Sequence, residues 1–442
     1  MKHHACRRHD TAAACRVRRG GRVRELALVT ALARAGFEDY VVYERDGAWT
    51  FAGGALATVT LDATHVRVRG VIESDTEWSG SPGAALQSAL DSLPLTAWRA
   101  YGTVHFGFSN LLTGLSLRGA AAPAGELVRL IVPRTEVRIA PGEVTMRGEE
   151  QERVREILAA PVTHGTPEPQ PIDVRVDGAS YRERVAQAVK EIRQGQYQKV
   201  ILSRTVRVPY EADLVATYEV GRRANTPARS FVLRLGGAAA AGFSPEIVAT
   251  VDTAGEVTTQ PLAGTRAFGR GAAQDAAARA ELESNPKEVF EHAVSVRTSQ
   301  AELRRVCRPG SVRVGDFMGI KERGSVQHLA SLVSGTLAEG RTAWDALEAV
   351  FPAVTASGIP KRESLDAIAR MDEARGLYSG AVVTAASDGS LDAALVLRAV
   401  YQEDGVTWLR AGAGIVADST PERELEETCE KLSSVAPYVV PA

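Results

Sequence analysis

The sequence predicts an α+β protein, large antiparallel sheets with helices packed on them. Three observations predict it. Segments rich in β-branched and aromatic residues follow one another across gaps of hairpin length, a spacing that joins antiparallel neighbours. Amphipathic stretches opened by cap residues stand between them. The chain has 442 residues, 45% hydrophobic and 24% charged, a globular balance for one large domain or two to three ordinary ones.

Taken in order, Asp39–Phe51 reads as a hairpin, Tyr40–Tyr43 and Ala48–Phe51 about a turn at Asp46-Gly47. Short strands follow near Ala57–Leu61 and His65–Val68. Ser81-Pro82-Gly83 leads into a helix that runs to about Leu93. Strands return near Ala100–Phe106, Leu127–Ile131 and Glu143–Met146, and a helix covers about Glu150–Leu158. The proline-rich Pro161–Pro171 is the linker candidate between a β-rich part, 38–160, and a motif-bearing part, 172–442. Ser180–Ile192 is an amphipathic helix ended by Gly195. Tyr197–Val208, Ser230–Leu235, Ala238–Phe243, Ile247–Val251 and Val257–Leu262 read as strands. Pro286 opens a helix to about Val306. Val312–Ile320, Val326–Ser334, Ala381–Ala386, Ala393–Tyr401 and Thr407–Gly412 are the remaining strands, before a last helix from Pro421.

The net charge of −2 hides an asymmetry. Residues 1–24 hold eight Lys/Arg and one Asp, so they carry +7 and the remainder carries −9. That basic tip reads as a disordered extension. It lacks the apolar core of a signal peptide, and the acidic body excludes a nucleic-acid footprint. No apolar run approaches the ~20 residues of a membrane span. The four cysteines, Cys6, Cys15, Cys307 and Cys429, form no C-x-x-C pair; this fits a reducing, cytoplasmic setting with neither a disulfide framework nor a zinc site.

Two helix starts repeat one pattern. After Thr420-Pro421, Glu424 and Glu427 stand at i, i+3, with Lys431 further along the same face; after Asn285-Pro286, Glu288 and Glu291 do the same. Glutamates in a first turn are ordinary dipole partners, and Glu427 with Lys431 could be a plain surface pair. Four carboxylates brought together, however, repel one another unless a cation joins them, and all-oxygen ligands suit Mg²⁺. Lys199 lies in an apolar strand, where a lysine either reaches solvent with its tip or, buried, serves as a general base. Glu246 stands in a Ser-Pro-Glu turn between two apolar strands; held against them, its carboxyl would keep a proton to donate. A base and an acid on neighbouring strands would suit attack by water on one side and loss of hydroxide on another. His328 is either a core histidine or a site residue. Arg398, flanked by apolar residues, needs an anionic partner, and its planar fork suits a substrate carboxylate. Gly412-Ala413-Gly414 and Gly264-Thr265 offer backbone N–H groups that a ligand can approach. No glycine stretch fits a nucleotide fingerprint.

Together the stretches QPLAGTR (260–266), ESNPKEVFEH (283–292), GSVQHLASLVSG (324–335), FPAVTASGIPK (351–361), LYSGAVV (377–383), LDAALVLRA (391–399), and AGAGIV (411–416) with STPEREL (419–425) and CEKLS (429–433) resemble the chorismate-utilising enzymes. Within that family the resemblance is greatest to the salicylate synthases of mycobactin-type siderophore pathways. It runs from about residue 38 to the C-terminus and is poor around Trp98–Leu112.

The resemblance implies two large antiparallel sheets wrapped by helices, and a Mg²⁺-dependent conversion of chorismate to isochorismate and then to salicylate and pyruvate. It implies that Lys199 activates water for attack at C2 and that Glu246 protonates the departing C4 hydroxyl. Glu291 and Glu427 match the magnesium ligands, with Glu288 and Glu424 as supporting carboxylates. Gly264, Thr265, Tyr378, Arg398, Gly412, Ala413, Gly414 and Lys431 match substrate contacts, and His328 matches a residue near the ring tied to the lyase step. Aminating relatives carry glutamine where Lys199 stands, and the aminodeoxychorismate branch carries lysine where Ala263 stands; this chain therefore resembles the water-using branch. It is expected to act as a monomer without a glutaminase subunit, on a small-molecule substrate, without nucleic acid or membrane. An isochorismate synthase that releases its intermediate, and a non-catalytic chorismate binder, are the alternatives.

Overall fold

A computed structural model describes residues 13–15, 22–113, 125–161, 168–177, 180–324 and 326–442. The expected hairpins form. Tyr40–Arg45 and Ala48–Leu61 pair about Asp46 and Gly47, both at positive φ, as the two-residue turn demands. Ser81 caps the helix Pro82–Asp91 by accepting from the Ala84 N–H. Asn285 accepts from the N–H groups of Lys287 and Glu288 to open Pro286–Leu303. Thr420 stands at the start of Pro421–Leu432 without a side-chain cap bond; Ser419, the alternative cap, instead accepts from the Val416 N–H. Of the basic segment 1–24, Ala13–Cys15 pairs with Glu143–Gly148 and a helix begins at Arg22, while 1–12 and 16–21 lie outside the described residues. So does most of the linker candidate, 162–167.

All strand pairings are antiparallel. One sheet runs Gly358–Ile359, Lys199–Val208, Val406–Ile415, Ala399–Glu403, Ala238–Ser244, Arg229–Leu235, Tyr40–Arg45. The other runs Arg99–Val104, Ala381–Ala386, Leu391–Leu395, Ile247–Val251, Glu256–Thr259, Val326–Thr336, Arg313–Arg323. Two long strands, Ala48–Leu61 and Val128–Ala140, belong to both. Trp49–Gly53 and Thr135–Ala140 extend the first sheet; Ala57–Leu61 and Val128–Val132 extend the second, with a register shift at Ala55/Ala57 between them. The two expected sheets are thus two halves of one hydrogen-bonded network.

Side chains from both halves, including Val41, Phe231, Leu233, Tyr101, Val382 and Ala394, form the core between them; each fully buried aliphatic or aromatic side chain there contributes about 1.5–3 kcal/mol. A buried ion pair crosses the same interface: Arg229 holds Asp392 through Nε and Nη2 at 2.9 and 2.8 Å, and Tyr43 donates to the same carboxylate. Helices cover the outer faces. Pro82–Asp91, Ala343–Val350 and Pro286–Leu303 pack on the second sheet; Arg22–Ala33, Leu214–Ala224 and Gln151–Ala159 pack on the first. Cys307 and Cys429 are buried free thiols. Among the described residues no helix is long and apolar enough to cross a membrane.

Candidate active site

The chain passes between the sheets at two adjacent places, and each delivers a site residue. Ala238–Ser244 ends in the first sheet, Pro245-Glu246 turns, and Ile247–Val251 begins in the second. Leu391–Leu395 returns from the second sheet to Ala399–Glu403 in the first through Val396-Leu397-Arg398. The crossings are tied together: the Leu395 N–H donates to the Glu246 carbonyl at 3.1 Å, and the Phe243 N–H to the Arg398 carbonyl at 3.0 Å. The sequence predicts one strand over Ala393–Tyr401. Arg398 breaks it with φ 54°, because the chain must change sheets there. Nor are Lys199 and Glu246 on neighbouring strands; Val406–Ile415 and Ala399–Glu403 lie between, and the crossing brings Glu246 back towards the lysine.

A cavity of about 430 Å³ opens at these crossings. Twelve of the fifteen residues singled out from sequence line it: Lys199, Glu246, Gly264, Thr265, Glu288, Glu291, His328, Arg398, Gly414, Glu424, Glu427 and Lys431. A smaller annex shares Ile201, Thr355, Leu397, Arg398 and Lys431 with it and adds Tyr378 and Gly412. Ala413 is the exception. Strand alternation sends its side chain to the opposite face, into the core with Val200, Leu202 and Ile415. At Gly414 the approach is close: a Cβ there would stand 3.1 Å from Lys199 Cε. At Gly264, φ is 66° and a Cβ would stand 2.8 Å from a Glu288 carboxylate oxygen.

Lys199, buried, donates to Glu291 Oε1 at 2.5 Å. Glu246 is buried and accepts from Thr355 Oγ1 at 2.6 Å. Burial pushes its carboxyl up to about 8, against the opposing pull of Thr355 and of the Lys199 charge. Glu246 therefore holds a proton at neutral pH. His328 Nδ1 lies 3.0 Å from the Gly264 carbonyl and 3.2 Å from Thr265 Oγ1. Burial, then the charge of Arg398, lowers the ring to about 3, so it is neutral; with Nδ1–H donated to the carbonyl, Nε2 is an acceptor, and it has no partner among the described residues. Arg398 is enclosed by the cavity wall, and desolvation there lowers it to about 10. Its Nη1 donates only to neutral oxygens, the Lys431 carbonyl and Ser434 Oγ, both at 3.2 Å, and no carboxylate pairs with it among the described residues. A desolvated cation without an anion is a receptor for one.

The four glutamates face the same cavity, yet among the described residues no three His, Cys, Asp or Glu side chains stand close enough together to hold a metal ion. Cations hold three of them instead: Lys199 on Glu291, Lys431 on Glu427 at 2.7 Å and Arg266 on Glu288 at 3.1 Å. Burial and then the Glu427 charge push Glu424 up; burial also opposes ionisation of Glu427, but Lys431, Arg423 and Lys287 together outweigh it and hold that carboxyl down. Glu424 Oε2 is buried without a partner among the described residues. The donor set is all oxygen, the chemistry a hard cation takes, but its carboxylates are held apart on their ion-pair partners. Sequence reading passed over Thr355, Arg266, Lys287 and Arg423, which also line the cavity. Thr355 and Arg266 lie within stretches already singled out, but nothing in the sequence separated them from structural neighbours.

The chorismate binding enzyme family model matches residues 38–437. The chain belongs to that family. This chorismate-utilising enzyme is 51% identical over 421 residues to a salicylate synthase of Mycolicibacterium paratuberculosis, covering 94% of this chain and 92% of that protein. It is 40% identical over 275 residues to anthranilate synthase component 1 of Streptomyces coelicolor, covering 62% of this chain and 53% of that one. In fold the enzyme is similar to anthranilate synthase component I of Streptococcus pneumoniae, with a TM-score of 0.74 and 23% identity over 88% of this chain and 92% of that one. It is likewise similar to the menaquinone-specific isochorismate synthase MenF of Escherichia coli, with a TM-score of 0.71 and 19% identity over 97% and 95%.

Proposed function

We propose that this enzyme is a magnesium-dependent salicylate synthase, converting chorismate to isochorismate and then to salicylate and pyruvate. We place it in the cytoplasm as a monomer without a glutaminase subunit, supplying siderophore or related aryl-capped metabolite assembly. The observation that carries the reading is that Lys199 and Glu246, both buried, line one cavity, close enough for the lysine charge to act on the glutamate. A lysine rather than glutamine at this position supports water as nucleophile.

Lys199 in its neutral form, after giving up the proton it carries in the ion pair with Glu291, takes a proton from the water that attacks C2, and Glu246 gives its proton to the hydroxyl leaving C4. One water is added and one lost, so the first step is an isomerisation; the two side chains then exchange a proton with solvent to reset. Arg398 pairs with a substrate carboxylate, and Thr265 with the Gly264 backbone borders the ring beside His328. Neutral His328 offers its Nε2 lone pair to a hydroxyl during the second step, in which the enolpyruvyl C–O bond breaks while the C2 hydrogen passes to the enolpyruvyl methylene carbon, giving pyruvate and the aromatic ring. Glu291 and Glu427, supported by Glu288 and Glu424, would hold Mg²⁺, which neutralises a substrate carboxylate and fixes its position.

Incubation of the purified protein with chorismate and Mg²⁺, followed by chromatography, tests this. Salicylate and pyruvate in equal amounts are expected. Isochorismate alone would reduce the assignment to the first step, and anthranilate with ammonium in place of salicylate would overturn it.

A further inference from the structure

Ser379 occupies a position that serine should avoid. Its side chain is fully buried, its Oγ has no hydrogen-bond partner among the described residues, and its backbone is left-handed at φ 62°. An unpaired buried hydroxyl destabilises a fold, and the left-handed region favours glycine. Such features persist at sites where a ligand uses them.

The residue lines the annex of about 50 Å³ that joins the main cavity through Arg398 and Lys431. One water needs only about 10–15 Å³ of such space, so the annex has room for a carboxylate-sized group. Two of its three cations are engaged. Arg410 pairs with Asp372 at 3.7 Å and donates to the carbonyls of Ala374 and Glu373 and to Ser203 Oγ, and Lys431 donates to Glu427 and the Gly412 carbonyl. Of the three, only Arg398 has no partner carrying charge among the described residues. Ser379 is tied to the same crossing, its N–H donating to the Val396 carbonyl at 2.9 Å.

We propose that the Ser379 hydroxyl donates a hydrogen bond to the substrate carboxylate that Arg398 pairs with, making Ser379 a further substrate-binding residue. The inference rests on the cavity being the chorismate site. The bond satisfies the hydroxyl that the fold leaves alone, and it adds direction to a charge contact that by itself has little.

Ser379→Ala and Ser379→Gly separate binding from structure, because both delete the hydroxyl and only glycine also relieves the backbone. Steady-state kinetics with chorismate and Mg²⁺ and thermal melts are measured on wild type and both variants. KM is expected to rise about 10-fold in each, the effect of one hydrogen bond to a charged group, with kcat within about two-fold of wild type. Ser379→Ala should melt no lower than wild type and Ser379→Gly about 1–2 °C higher. An unchanged KM in both variants with an active wild type would overturn the inference alone. A raised KM accompanied by lower melting in both would show a structural role and overturn it too. A wild type that does not consume chorismate would overturn both the inference and the reading beneath it.

Discussion

Lys199 Nζ stands 2.5 Å from Oε1 of Glu291, so the proposed base and a proposed metal ligand form one ion pair inside the cavity. A cation that engages the Glu291 carboxylate takes from the lysine the anion that holds it. On the proposed reading, metal binding and the readiness of the base would be coupled through this single contact, with no intervening residue.

Activity is therefore expected to vanish in EDTA and return with Mg²⁺. Glu291→Gln and Glu427→Gln should each lower kcat/KM by about 100-fold or more, since each removes a charged ligand of a weakly held ion. Full turnover in metal-free buffer would refute the four-carboxylate site.

Lys199→Gln should lose water attack, with a drop of about 10²–10⁴-fold, the usual worth of a positioned general base. At high ammonium it should gain a trace of aminated product, because ammonia brings its own lone pair. Glu246→Gln should block both routes, since no proton then reaches the leaving hydroxyl. Product analysis with and without ammonium distinguishes them; isochorismate or salicylate from Lys199→Gln at near wild-type rate would move the base assignment to His328.

The Glu246 carboxyl, raised to about 8, links rate and stability to pH. In the proposed mechanism the acid form is the working form, so the rate of the first step should fall as pH rises through about 8. Stability has the same sign. Above its ordinary value of 4.5 the unfolded chain releases this proton while the folded one keeps it, so stability declines from there until about pH 8. Glu246→Gln, neutral throughout, should melt close to wild type near pH 4.5 and progressively higher than wild type towards pH 8. A melting difference that does not change with pH would contradict the burial argument.

Arg398→Gln should raise KM for chorismate about 10–100-fold, the worth of a lost charge-assisted pair. It should not lower the melting temperature, because it removes a desolvated cation that no carboxylate neutralises. A fall in melting temperature with unchanged KM would assign Arg398 to structure alone.

The hairpins were legible because their turns are written in local residues: Asp46-Gly47 needs positive φ at both positions and carries residues that accept it. The two Glu-x-x-Glu helix starts were legible for the same reason, each opening on a cap residue and proline. The break at Arg398 was not. Ala393–Tyr401 reads as one apolar strand, and its left-handed residue is set by the change of sheet, a tertiary event. The other crossing was easier to see, since Pro245 marks the turn before Glu246. Ion pairing was also out of reach, because Lys199 and Glu291 are 92 residues apart. Ala413 was carried along with the glycines that flank it, although strand alternation turns it away from the cavity.

The strands Ala48–Leu61 and Val128–Ala140 run through both sheets, so the two halves share continuous backbone. A clam-like swing of one half against the other would have to bend both strands at once, a collective deformation slower than the nanosecond-to-microsecond motion of surface loops.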